Sequence, residues 1–146
     1  MTLTGLIHNL QDLPNVVKQE VEDIILSDSA KLNAQQLSKG KRADDEKIQF
    51  PSGRTTYSTG YKKLKARKGK QNKFIDLKFD GDFHDSIETR KRGTNKYENV
   101  SGDTVYTGKL RPVFGNELLG LNTEATEKMT KKIVKGITKL IFKKIK

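Results

Sequence analysis

Asp76-Leu77-Lys78 has the acid-x-Lys spacing used by metal-dependent nucleases. In that chemistry two acids hold Mg²⁺ while a lysine steadies the attacking water or the phosphate. A second acid is needed from an adjoining turn or strand, and Asp44 and Asp45 are the nearby candidates, across a stretch of little expected order. A strand with one wet face carries the same alternation of charge, and that is the expected role of the tripeptide. Asp80, Asp82, His84 and Asp85 form a second acidic cluster. An EF-hand loop would need a further acid, with Gly at its sixth place and Glu at its twelfth. Asp85 and Lys91 stand there instead. His8 is the only other histidine, so no transition-metal site is assigned and His84 is read as a surface residue of a short helix. Ser86 has no Gly-x-Ser-x-Gly setting, which removes a hydrolase nucleophile. Cysteine is absent, and with it disulfides, thiolate nucleophiles and thiolate zinc sites. The chain is therefore read as a non-enzyme with no catalytic residue, no metal ligand and no cofactor.

Charge is the stronger signal. The net charge of +11 over 146 residues is unevenly placed. Lys62, Lys63, Lys65, Arg67, Lys68, Lys70 and Lys73 follow one another with no acid among them. Residues 123–146 carry eight lysines against Glu124 and Glu127, so the rest of the chain is slightly acidic. The first run could meet nucleic-acid phosphates, and Tyr57 and Tyr61 lie just upstream. No helix-turn-helix, zinc or sheet-reading motif accompanies it, so such contact would be to backbone and not to sequence. The favoured expectation is a mobile loop that meets acidic neighbouring subunits or is simply solvated. Hydrophobic residues make up 33% and charged residues 32%. That balance is polar for a free-standing globule and suggests a fold completed by neighbouring subunits.

The elements that would position these groups follow from local pattern. Thr4 can cap a first short helix with Leu6, Ile7 and Leu10 on one side. Pro14 opens a second, in which Val17, Val21, Ile24, Ile25 and Leu32 recur at spacings of three and four. It runs to about Ser38, roughly 37 Å, with Gly40 as its stop. Residues 40–73 read as loop-rich and basic, with Ile48-Gln49-Phe50 as a short strand. In residues 74–110 a small antiparallel sheet is expected. Ile75, Leu77 and Phe79 alternate with Asp76 and Lys78 as a half-buried strand, which Asp80-Gly81 ends. Asp82 caps a helical turn placing Phe83 and Ile87 on one face. Ser86–Arg90, Lys96–Val100 and Thr104–Thr107 supply three more strands, the last two joined at Ser101-Gly102-Asp103. Residues 111–122 form a loop whose Val113, Phe114, Leu118, Leu119 and Leu121 tuck against a core or a partner. Thr123 caps a final helix with Met129, Ile133, Ile137, Ile141 and Ile145 at every fourth place, joined by Val134 and Leu140. It has the form of a basic amphipathic membrane-surface helix too. Phe142 is its only aromatic, so docking on the domain or a neighbour is preferred and no membrane partner is expected. Met1 to Leu13 carries no basic n-region and no sustained apolar run, so no signal peptide is expected, and no run reaches the length of a membrane span. The reading is one α+β domain over residues 1–146.

A family resemblance rests on Asp80-Gly81-Asp82-Phe83-His84-Asp85-Ser86-Ile87. Between a helical first part and a C-terminal helix, it resembles the Thr-Gly-x-Leu-x-x-Ser-Ile signature of head–tail connection and tail-completion proteins of tailed bacteriophages. There the signature links a helix to an antiparallel sheet; here Asp80 stands in place of Thr. Residues Phe114-Gly115-Asn116-Glu117-Leu118-Leu119-Gly120-Leu121-Asn122 are also similar to small phage neck or tail proteins. The resemblance implies a non-catalytic virion protein, made in a bacterial cytoplasm. It would assemble with itself and other neck or tail proteins into a ring, usually sixfold or twelvefold, around the DNA path. Phe79, Gly81, Asp82, Phe83, Ser86 and Ile87 would form the hub. Lys62–Lys73 would meet DNA or neighbours, and residues 111–122 with Ile133, Ile137 and Ile141 would meet other subunits. A non-specific nucleic-acid-binding protein is the first alternative and a Mg²⁺-dependent nuclease a weaker one.

Overall fold

Pro14 fixes its own φ at −52° and removes a donor the helix does not need, and α1 (Asn15–Ser38) begins directly after it. A computed structural model describes residues 14–145, the last two by backbone alone. The expected first helix with Thr4, Leu6, Ile7 and Leu10, and the side chain of Ile145, lie outside the described residues. Helix α1 ends as expected at Gly40, whose φ is +72°. The Lys41 N–H reaches back to the Gln36 carbonyl at 3.1 Å and the Gly40 N–H to Leu37 at 2.8 Å. This paired closure satisfies two carbonyls that the helix would otherwise leave open.

Two apolar clusters form along α1. Val21, Ile25 and Leu32 join Ala125, Met129 and Ile133 in one, and Leu37 joins Ile48, Ile75, Phe83, Ile87, Tyr106, Phe114 and Leu118 in the other. Between them α1 buries polar groups. Ser29 Oγ donates to Asn99 Oδ1 at 2.9 Å, and Asn99 Nδ2 donates to Asn33 Oδ1 at 3.2 Å. Asn33 Nδ2 donates to the Leu118 carbonyl and Gln36 Nε2 to the Gly120 carbonyl, at 2.9 and 2.8 Å. Gln36 Oε1 also accepts from the Asn122 N–H. These bonds pin the 116–122 segment to α1.

Helix α5 (Thr123–Ile145) then runs back antiparallel along α1. Its cap is Asn122, whose Oδ1 accepts from Ala125 N–H at 2.9 Å. Thr123, the expected cap, is instead the first helical residue, and its N–H and hydroxyl both donate to the Asp45 carboxylate. Lys132 meets Asp28 at 2.8 Å. The side chains of Ile24 and Glu20 pack against Gly136, where a Cβ would fall 2.5 Å from Ile24 Cδ1. The expected stripe is thus divided. Met129 and Ile133 are buried and Ile137 is half-buried, whereas Ile141 and Phe142 are 51% and 64% exposed.

The sheet is smaller than expected. Strands β1 (Ile87–Gly93) and β2 (Lys96–Ser101) pair antiparallel from Ile87 opposite Ser101 to Lys91 opposite Tyr97. The register slips at Arg92, and Asn95 takes a φ of +55° in the turn. Residues 74–79 are not a strand. The N–H groups of Asp76 and Leu77 donate to the Tyr57 hydroxyl at 3.2 and 2.9 Å, not to a neighbouring strand. Leu77 has a φ of +53°, which breaks the alternation, so Ile75 and Asp76 are both buried. Ile48-Gln49-Phe50 is not a strand either; one bridge between Lys41 and Lys47 precedes it. Thr104–Thr107 winds into a helix because Asp103 Oδ1 accepts from the Tyr106 N–H at 2.9 Å. A π-helical turn (Tyr106–Leu110) and α4 (Arg111–Phe114) follow without a break, with Pro112 in the first turn of α4. The result is α+β, with helices flanking one hairpin.

Candidate interaction site

The first part of the basic run is not a loop but belongs to helix α2 (Thr59–Arg67), which carries Lys62, Lys63, Lys65 and Arg67, while Lys68, Lys70 and Lys73 follow its end. Ser58 Oγ accepts from the Tyr61 N–H at 3.4 Å at its start. At its end Gly69, with a φ of +64°, lets the Lys70 N–H reach the Lys65 carbonyl at 2.9 Å. Ser58 and Gly69 were the sequence signals for this helix. One of its lysines is not a surface charge at all: Lys65 is 0% exposed. Its Nζ donates to Asp76 Oδ1 at 2.5 Å and to the Lys78 carbonyl at 2.9 Å, and lies 4.6 Å from the centre of the Tyr57 ring.

Asp76 is the other half of this network. Its Oδ1 also accepts from the Tyr57 hydroxyl at 2.9 Å and the Lys78 N–H at 3.1 Å, and its Oδ2 from Gln71 Nε2 at 2.8 Å. Burial pushes the carboxyl up, but these donors, Lys65 first, outweigh it and hold Asp76 below the usual carboxylate range. Burial and the adjacent Asp76 charge push the Tyr57 phenol up, so it stays a donor. Every short contact of Asp76 is thus structural. Asp44 pairs with Arg42 and Asp45 with Thr123, so neither expected partner joins Asp76 as a metal ligand. Among the described residues no three acidic or histidine groups gather as a metal site.

The hub turn is built on the same segment. Gly81 has a φ of +105° and precedes α3 (Asp82–Asp85); Asp80 Oδ1 accepts from the Asp82 N–H at 3.1 Å. Asp82, the expected cap, is therefore the first helical residue, and Gly81 stands at the cap position without a side-chain bond. Phe83 and Ile87 share the buried face, as their spacing implied. Ser86 Oγ donates to the Phe83 carbonyl at 2.7 Å and lies 2.6 Å from Ser101 Oγ, closing the end of the hairpin. His84 is buried and not on the surface. Its Nε2–H donates to the Asp76 carbonyl at 2.8 Å, and Nδ1 lies 3.3 Å from Ser38 Oγ. Burial holds this imidazole below its ordinary pKa.

Beside the hub opens a groove of about 450 Å³. Phe83 and Phe114 form part of its lining, and Tyr61 and Phe79 face one another at 5.8 Å. Phe50 packs on Phe114 at 5.2 Å and carries the Arg54 guanidinium over its ring. Val105, 47% exposed, also lines the groove, and Asp80, Asp82 and Asp103 bring three carboxylates against the single cation Arg54. A larger cleft of about 1030 Å³ follows β2 and the start of α5, but its Arg92 and Arg111 are balanced by Glu98 and Glu127. The smaller groove therefore has the distinct character: aromatic within, acidic in balance.

Two further surfaces complete the site. Lys62, Lys63, Arg67, Lys68, Lys70 and Lys73 surround α2, and among the described residues none lies within salt-bridge distance of an acid. Of the expected subunit-interface residues, Phe114, Leu118 and Ile133 are buried in the chain's own clusters, and Leu119, Leu121 and Ile137 pack partly against them. Val113 and Ile141 remain exposed. Among the described residues no helix is long and apolar enough to cross a membrane.

Asp76→Ala is expected to cost about 3–5 kcal/mol in urea unfolding, because it strands a buried ammonium. Lys62→Ala is expected to stay within about 0.5 kcal/mol. An Asp76→Ala chain as stable as its parent would refute the structural role. His84 gives a pH dependence. The unfolded imidazole takes up its proton near 6.5 and the folded one only lower, so the unfolded chain holds more protons in between. Its contribution is complete above about pH 6.5 and declines as pH falls toward the folded value, by up to about 1.4 kcal/mol per unit. Stability measured from pH 7.5 to 5.5 should show this slope, and His84→Gln should flatten it. Compared with known proteins, the chain matches no protein-family model, no curated protein and no solved structure.

Proposed function

We propose that this chain is a non-catalytic structural subunit of the head-to-tail connection of a tailed bacteriophage, in a connector, tail-completion or tail-terminator ring around the DNA path. The observation that carries the reading is the far end of α5, where Ile141 and Phe142 are 51% and 64% exposed on a helix that buries Ala125, Met129 and Ile133 nearer its start and leaves Val134 53% exposed. Apolar side chains held out in this way gain free energy by meeting another protein surface. The turn at Asp80–Ile87 supports the reading as well: it passes from Gly81 through α3 directly into the hairpin, the place that the phage signature occupies. Light scattering and negative-stain electron microscopy of the full chain are expected to show a closed ring. A single-copy species at every concentration would overturn the proposal.

A second reading, backbone contact to nucleic acid, is favoured by the six cations around α2 that have no acidic partner. Lys65 is removed from that count by its burial. Contact of all six with duplex phosphates would give a slope of log K against log salt of about −5. A slope near zero in a titration with duplex DNA would dispose of it.

A further inference from the structure

The groove and the tip of α5 are complementary, and they belong to opposite ends of the molecule. The groove lies at the cluster that takes the Leu37 end of α1, lined by Phe83 and Phe114. The tip projects beyond the Glu20 and Ile24 level of α1, where Gly136 crosses it. From that crossing to Leu37 is about 22 Å along α1, and Phe142 lies about 9 Å further the other way, at 1.5 Å per residue. A chain therefore cannot fill its own groove with its own tip.

We propose that the groove receives the tip of α5 from a second copy of this chain, with Phe142 and Ile141 entering among the aromatic rings. This rests on the self-assembly of the proposed function and assigns the surfaces that perform it. Charge selects the occupant. Phe142 and Ile141 are flanked by the exposed Lys139 and Lys143. The groove answers with Asp80, Asp82 and Asp103 against Arg54 alone. A space of about 450 Å³ admits a phenyl ring with an aliphatic neighbour, and aromatic side chains in such a pocket carry much of an interface's affinity. Because the two surfaces are different patches, the contact is head-to-tail. Repeating it generates a ring where the rotation closes and a filament where it does not, and two copies that exchange tips make it twice about a two-fold axis.

The test uses two full-length variants at exposed positions, Phe142→Asp in the tip and Val105→Lys in the groove. Far-UV circular dichroism confirms that they fold, and Ile141→Asp and Asp82→Lys probe the same two surfaces if either does not. Sedimentation velocity is expected to show each variant alone self-associating about tenfold more weakly, or worse. An equimolar mixture is expected to form one-to-one dimers, since an intact groove then meets an intact tip once. If Val105→Lys assembles like the parent while Phe142→Asp does not, the tip docks elsewhere and the groove assignment is overturned. If both assemble like the parent, the proposal is overturned and self-assembly itself stands. A parent chain that stays monomeric at all concentrations removes both.

Discussion

The ion pair between Lys65 and Asp76 is the constraint on which the middle of the molecule depends. Residues 74–80 have no strand beside them, so their backbone cannot be fixed by a sheet ladder. They are fixed by side chains: the Tyr57 hydroxyl takes two of their N–H groups, and Asp76 draws Lys65, Tyr57 and Gln71 onto one carboxylate. A buried pair of this kind contributes little net stability against an apolar replacement of the same shape, yet losing one member is costly. Its effect here is conformational. It sets how α2 sits against the hub, and so which lysines face water and where Tyr61 and Phe79 stand in the groove wall.

A second buried polar system does the same for the other end of the hairpin. Ser29, Asn33 and Gln36 lie on one face of α1 and together hold Asn99 of β2, the 118 and 120 carbonyls and the start of α5. Among the described residues no buried side-chain nitrogen or oxygen lacks a partner. In a low-dielectric interior a satisfied network specifies one arrangement, because every alternative packing leaves donors stranded. The two apolar clusters are thus set in register along α1 by amides and hydroxyls.

The sequence was legible where local rules act alone. Pro14 and Gly40 marked the ends of α1, and the Gly81 turn, the two strands after it and the body of α5 followed from short-range pattern, whereas the hairpin turn expected at Ser101-Gly102-Asp103 lies instead between Gly93 and Lys96. It misled where a distant side chain took over a local role. The alternation Ile75-Asp76-Leu77-Lys78-Phe79 is good strand pattern, but a tyrosine 19 residues before Asp76 captures its backbone. Lys65 counts as one more positive charge in any composition, and only the fold reveals that it is a core residue. His84 and the Asp103-capped helix failed for the same reason: burial and a single capping oxygen outweighed propensity. The groove could not be read at all, since its walls come from four segments spread between Phe50 and Phe114.

Gly136 gives α5 the geometry of a lever. At the crossing its bare Cα makes room for α1 side chains, with Ile24 occupying the space a methyl group would need. Past that point α5 keeps going as a stiff rod, so a few degrees of tilt at the fulcrum translate into a larger sweep of Phe142. The reach of the outer arm is therefore tuned by the size of one residue at its pivot.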